Sequence, residues 1–200
     1  MADRSDDYYL YRLAALSYFN GGIDEESALD YANETLKLKP GDVDALVLKG
    51  LIYSRRFSRT QSSSQRGEFW ILALRNFGLA RAAAEAAYNK EDNGANRRQY
   101  ACALGHVAHA LYFGNSIAVE ERRRWFPTKD QKWLFEGTGR TGFDKSFEKK
   151  QRKLIKDTVK SGVEAALLAE KLAPGTSKEA REVLRDCKAH GLLNFWDRLS

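Results

Sequence analysis

Small and aromatic residues recur along this chain at helical spacing, and this repetition restricts the fold more than any other feature. Ala15-x-x-Tyr18 is repeated 35 residues later as Gly50-x-x-Tyr53. A second set recurs after 45 residues, with Ala28, Ala32 and Thr35 answered by Ala73, Phe77 and Ala80. Small residues let neighbouring helices approach closely, and aromatic rings fill the space between them. The pattern therefore predicts helical hairpins that pack side by side.

The remainder of the sequence also predicts an all-α chain. Apolar residues return every three or four positions, and the breaks contain Gly or Pro, at Asn20–Gly22, Pro40, Asn93-Gly94 and Pro174-Gly175. No segment alternates as a strand would. We predict a single domain over residues 1–200. Within it we expect a Ser- and Arg-rich loop at 57–67, an irregular basic and aromatic insertion at 114–147, and a C-terminal helix over 176–200 with Thr176 or Ser177 as its N-cap.

The stretch from Glu26 to Pro40, followed by Ala45-Leu46 and Gly50-Leu51-Ile52-Tyr53, resembles the tetratricopeptide repeat (TPR). That repeat is a helical hairpin of about 34 residues with small and aromatic residues at set places and a closing proline, which here falls on Pro40. The resemblance implies a right-handed superhelix of about three repeats plus C-terminal capping helices. The alternative is a generic helical bundle.

The resemblance also implies a function. Proteins of this family bind peptides or helices in a concave groove lined by the first helix of each hairpin, so the chain is expected to be a protein-interaction scaffold or adaptor. The third hairpin contributes only if Gly105 has the register of Gly50. The implied groove residues are Tyr9, Arg12, Leu16, Phe19, Asp44, Val47, Leu51, Ser54, Arg55, Gln99, Cys102, His106 and His109.

The distribution of charge suggests an alternative partner. Residues 1–50 contain 5 Lys/Arg against 10 Asp/Glu, whereas residues 122–160 contain 13 against 5. Cations interleaved with aromatic rings are typical of nucleic-acid binding or of binding to an acidic partner. A solvated helix face is the competing interpretation. The basic patch comprises Arg122, Arg123, Arg124, Lys149, Lys150, Arg152, Lys153 and Lys156.

Two patterns that suggest chemistry lack the context they need. Cys102, His106 and His109 lie at i, i+4 and i+7, but residues seven apart stand about 10 Å apart along a helix, too far to hold one ion together. Gly137-x-Gly-x-x-Gly142 matches a phosphate-binding fingerprint, yet no strand precedes it. We therefore expect no catalytic residues, no metal and no cofactor.

Composition favours a soluble protein. No apolar run approaches the 18 residues that a membrane-spanning helix needs, and the first residues are acidic where a signal peptide is basic. The two cysteines, Cys102 and Cys187, are isolated in the sequence, which suits a reducing compartment. We expect a cytoplasmic monomer or small homo-oligomer that has no membrane partner.

Overall fold

A computed structural model describes residues 5–125 and 145–189 of the chain, with the side chains of residues 7–62, 65–114 and 157–189. This part of the chain is helical and contains no strand, so the all-α prediction is confirmed for it. None of its helices is long and apolar enough to cross a membrane. The helices are α1 (Ser5–Asn20), α2 (Glu25–Leu38), α3 (Val43–Arg59), α4 (Ser63–Lys90), α5 (Gly94–Trp125), α6 (Lys145–Leu172) and α7 (Lys178–Ala189).

Several helices begin at a polar residue that satisfies a free backbone amide of the first turn. The Asp24 side chain accepts a hydrogen bond from the Glu26 amide at 3.0 Å, so Asp24 is the N-cap of α2. Asp42 caps α3 in the same way. Ser177 caps α7, as one of the two predicted residues for that place.

The predicted loop at 57–67 is wrong, because α3 continues to Arg59 and α4 begins at Ser63. The arginines that suggested a loop lie on α3 and form ion pairs with α2. Arg59 Nη1 lies 2.9 Å and Arg56 Nε 3.7 Å from the carboxylate of Glu25. The charges therefore mark the side of α3 that faces α2.

The predicted irregular insertion at 114–147 is wrong at both of its ends. Residues 114–125 continue α5, and α6 begins at Lys145. Alanine, glutamate and arginine favour helix, and no Gly or Pro interrupts residues 115–125. Residues 126–144, with the Gly137–Gly142 sequence, lie outside the described residues. So do residues 190–200 of the predicted C-terminal helix.

The helices are arranged in two layers. Each helix contacts the next one in the chain; in addition, α1 contacts α3, α3 contacts α5, and α5 contacts α7. Within the described ranges, no even-numbered helix contacts another even-numbered helix. The odd-numbered helices thus form one continuous layer, and α2, α4 and α6 each pack between two of them.

The small residues of the repeated pattern lie in the interior, as predicted. Ala15, Ala28 and Ala73 are at most 1% exposed. Gly50 packs against the ring of Phe77, and a Cβ atom at Gly50 would lie within 2.8 Å of three atoms of that ring. The close approach of α3 and α4 therefore depends on the absence of a side chain at position 50.

Candidate partner-binding surface

Helix α1 is apolar on almost every side but is covered on only one. Between Tyr8 and Phe19 the only residues that are neither apolar nor aromatic are Arg12 and Ser17. Ala15 is buried where α2 and α3 pack against α1. A helix that is apolar all round is normally surrounded by protein. No described residue covers the other side of α1, where the large side chains are exposed by 58% (Tyr9), 63% (Leu10) and 61% (Leu13). We call these three residues the α1 face.

Polar contacts fix α1 against α3 beside this face. Arg12 Nη2 donates to Asp44 Oδ2 and forms an ion pair with it. Tyr8 donates its hydroxyl proton to Asp42, and both burial and the Asp42 carboxylate raise the pKa of Tyr8. Two of the predicted groove residues, Arg12 and Asp44, are therefore paired with each other and about one third exposed.

The remaining predicted residues of the first two hairpins are half-buried. Leu16 and Phe19 pack against the cluster around Ala15. The Arg55 guanidinium lies 4.1 Å from the centroid of the Phe19 ring, an arrangement that favours cation–π attraction. Val47 and Leu51 pack against the cluster of Ala73, Phe77 and Ala110, and Ser54 is half-buried. Together with the α1 face, these side chains form a partly apolar surface along α1 and α3.

The third hairpin does not continue this surface, because Gly105 does not occupy the position of Gly50. Gly50 faces its own hairpin partner, α4, whereas a Cβ atom at Gly105 would lie 2.9 Å from Ser177 Cβ and 3.3 Å from the Ala180 nitrogen in α7. Gly105 therefore faces α7. The assumed register is wrong, and α7 packs against the side of α5 that the prediction placed in an open groove.

The residues predicted from that register lie at or near the contact between α5 and α7. His106 stacks on Phe77 with ring centroids 5.4 Å apart, and its Nδ1 lies 4.0 Å from Glu179 Oε1. His109 Nε2 lies 3.9 Å from Glu182 Oε2. Cys102 and Gln99 are half-buried. Cys102, His106 and His109 belong to the interface that holds α7.

The chemistry at this interface is that of packed side chains. Burial, and secondarily Glu179, raises the pKa of the Cys102 thiol, which disfavours the nucleophilic thiolate. In the described part of the chain no three His, Cys, Asp or Glu side chains are placed to hold one metal ion.

The stability of the chain is expected to fall as the pH falls below about 6.5, because of His106. Burial lowers the pKa of His106 from its ordinary 6.5; Glu179 partly opposes this and His109 adds to it. The unfolded chain then binds the proton more readily, so this part of the stability is present above pH 6.5 and is lost on acidification, with a slope of at most about 1.4 kcal/mol per pH unit. Urea unfolding at pH 7.5, 6.5 and 5.5 measures it. His106→Gln should flatten the dependence more than His109→Gln; equal slopes in wild type and His106→Gln would contradict the assignment.

The side chains of the predicted basic patch lie outside the described residues. Arg122, Arg123 and Arg124 fall on the last turn of α5, and the lysines and Arg152 fall on the first half of α6. Only the helical backbone is described at these positions.

The prediction missed the most exposed members of the surface, Leu10 and Leu13. The sequence signal for these two leucines is the near absence of polar residues in α1. A helix that is apolar on almost every side cannot bury all of its apolar side chains against one neighbouring layer. The prediction also missed the four exposed cations of α7, which are considered below.

Comparisons of the chain with models of protein families, with curated proteins and with solved structures found no match. The described residues define an all-helical protein with two layers of helices, and its function is argued from the surface above.

Proposed function

We propose that this chain is a protein-interaction module that binds the apolar side of a helix or peptide from another protein. The partner lies across the α1 face and the adjoining surface of α1 and α3. The observation that carries the proposal is the α1 face itself, three large apolar or aromatic side chains that are each more than half exposed on one helix. Contiguous exposed apolar surface of this kind marks interaction sites in water-soluble proteins.

The two ends of the helical stack support this proposal by their difference. In stacked helical repeats the terminal helices need a polar outer side. Helix α7 has one, since its exposed residues include Lys178, Arg181 and Arg185. Helix α1, at the other end of the described helices, instead exposes Tyr9 and Leu13 on its outer side. A second protein bound over α1 buries these apolar side chains, so that α1 no longer needs a polar outer side.

The layered contacts also support a TPR-like arrangement, in which the first helix of every hairpin shares one surface. The contacts α1–α3 and α3–α5, with α2 and α4 on the other side, are those expected of stacked hairpins. On this proposal the groove is shorter than a three-repeat prediction implies, because α7 covers the corresponding part of α5.

The residues beside the α1 face suit a mixed interface. The Arg12–Asp44 pair and Arg55 surround the apolar centre and remain partly exposed. Interfaces commonly combine an apolar centre with a polar rim, and aromatic anchors such as Tyr9 contribute much of the affinity.

Leu13→Glu is expected to weaken partner binding by about thirtyfold or more, because loss of a buried interface anchor typically costs about 2 kcal/mol or more. The fold should be unaffected, since exposed substitutions usually change stability by less than about 0.5 kcal/mol. Leu79→Glu on α4 is the matched control, as Leu79 is 50% exposed in the other layer. The measurement uses a photoreactive amino acid at position 13 or 79, with identification of the proteins crosslinked in the native cells.

The proposal requires proteins that crosslink from position 13 but not from position 79. In a pull-down, the wild-type chain should retain these proteins and the Leu13→Glu chain should not. Equal crosslinking from position 79, or equal retention by Leu13→Glu, would refute it. If the sole product is a dimer of this chain, the α1 face is a contact between two copies and the foreign partner is excluded.

A further inference from the structure

The outward side of α7 carries four cations, Lys178, Arg181, Arg185 and Lys188, and all four are exposed. Intervals of three, four and three residues place them along one side of the helix. From the first to the last, this α7 row is about 15 Å long. We propose that the α7 row binds the phosphate backbone of a nucleic acid, at a site separate from the α1 face.

The acidic residues of α7 lie nearer to α5, although Glu182 is 40% exposed and lines the same shallow surface pocket as Lys178, Arg181 and Arg185. Glu179 lies beside His106 at 4.0 Å, and Glu182 lies beside His109 at 3.9 Å. Asp186 Oδ2 accepts a hydrogen bond from the Tyr112 hydroxyl at 2.8 Å. Each of these three carboxylates therefore has a neighbouring side chain on α5, whereas the four cations are exposed.

The α7 row also lacks internal counter-charges. Among the residues that the structure describes, Lys178, Arg181, Arg185 and Lys188 form no ion pair; Arg181 Nε donates only to the backbone oxygen of Ser177. Elsewhere in the chain exposed arginines do find carboxylates, as Arg97 does with Asp92 at 2.6 Å. Four adjacent cations without carboxylate partners produce a positive potential that attracts a polyanion.

The chemistry of α7 favours phosphates over an acidic protein. Its half-buried Leu184 packs against the core, and between the four cations no large apolar or aromatic side chain is exposed. A protein interface usually needs such an anchor. Phosphate contacts need only cations, and each strand of duplex DNA carries one phosphate about every 3.4 Å of helix axis, so the row is as long as the axial rise of roughly four phosphates.

Two neighbouring helices, α5 and α6, have basic sequence positions beyond the level at which α7 ends. Gly162 of α6 packs against Ala108 and Tyr112 of α5, so the C-terminal end of α5 lies near the N-terminal end of α6. Since Asp186 near the end of α7 bonds to Tyr112, the helical backbone of α5 continues about 20 Å past this level, to Trp125. That continuation and the N-terminal half of α6 contain the basic sequence positions 122–124 and 149–156.

Fluorescence anisotropy of the full chain tests the proposal with three labelled 20-mers: single-stranded RNA, single-stranded DNA and duplex DNA, each at 50 and 200 mM salt. We expect binding at 50 mM that weakens steeply with salt. Arg181→Glu with Arg185→Glu should lower the affinity about tenfold or more, and it should reduce the slope of log affinity against log salt by about 2. The ranking of the three probes distinguishes RNA from DNA as the source of the phosphates.

The matched control is Lys90→Glu with Arg98→Glu, which makes the same change in net charge at exposed positions of α4 and α5. It should change the affinity by less than about threefold and leave the salt slope unchanged, because positions 90 and 98 lie outside the α7 row and contact no phosphate. Equal losses in the two double variants would overturn the proposal, as would the absence of binding to every probe at 50 mM salt. Equally tight binding of a polyglutamate peptide would assign the row to an acidic protein instead. Leu13→Glu should leave the anisotropy unchanged, which separates this result from a failure of the protein-interaction proposal.

Discussion

Gly50→Ala is expected to lower the free energy of unfolding by about 1–3 kcal/mol, the usual cost of forcing an extra methyl group into a well-packed core. The added Cβ would lie 2.5 Å from Cδ1 and 2.8 Å from Cζ of Phe77, and closer still to Cε1. Phe77 is 3% exposed and stacks on His106, so its ring cannot move away without displacing α5. Urea denaturation followed by circular dichroism measures the change.

Gly78→Ala is the matched control for this experiment. Gly78 lies in α4, and apart from its chain neighbours and the backbone of its own helix no described atom lies within 4 Å of the place that an added Cβ would occupy there. The same substitution should therefore stabilise the chain by about 0.5–1 kcal/mol, since glycine inside a helix is entropically costly. Phe77→Leu, which removes the obstructing ring atoms, should reduce the further cost of Gly50→Ala to below about 0.5 kcal/mol. If Gly50→Ala stabilises the chain as Gly78→Ala does, α3 and α4 are not in the described contact.

The hairpins of the first half were predictable because their signal is local. Ala15, Ala28 and Ala73 stand at helical intervals beside large residues, and a buried stripe is the ordinary reason for such spacing. The caps at Asp24 and Ser177 are equally local, since a polar side chain reaches an amide two or three residues away.

Other features depend on which helix a residue meets, and spacing does not specify that. Gly50 and Gly105 look alike in sequence, yet one faces its hairpin partner and the other faces α7. Arg56 and Arg59 resemble loop residues until Glu25, more than thirty positions earlier, is placed opposite them. Long-range pairs of this kind arise only once the stack has formed.

The exposed leucines of the candidate site were a harder problem. A leucine at a helical interval normally predicts burial, and Leu10 and Leu13 would be expected in the core on pattern alone. They are exposed because the described residues cover α1 on one side only, where α2 and α3 pack against it. Only the near absence of polar residues in α1 distinguishes a helix that needs covering on more than one side from a helix that one neighbouring layer covers.

Gly105→Ala is expected to have the larger effect of the two glycine substitutions, about 2–4 kcal/mol, because it combines overpacking with loss of a helix cap. The added Cβ would lie 2.9 Å from Ser177 Cβ, closer to Ser177 Oγ, and 3.3 Å from the Ala180 backbone nitrogen. Ser177 is 1% exposed, and its Oγ accepts the Ala180 amide proton at 3.2 Å, so it cannot rotate away without uncapping α7. Helix α7 must then move away from α5.

Ser177→Gly provides the test of this mechanism. It removes both atoms nearest to the added methyl group, and glycine at an N-cap costs only a few tenths of a kcal/mol relative to serine. The double variant should therefore recover most of the stability that Gly105→Ala removes, whereas the sum of the two single effects would predict a further loss. Displacement of α7 also exposes His106, so Gly105→Ala alone should bring the pKa of His106 back towards its ordinary value, and the double variant should restore the lowered pKa. Proton NMR titration of the histidine ring measures this shift. Loss of stability that Ser177→Gly does not relieve, or an unchanged His106 titration in Gly105→Ala, would show that α7 is not held against α5 through this contact.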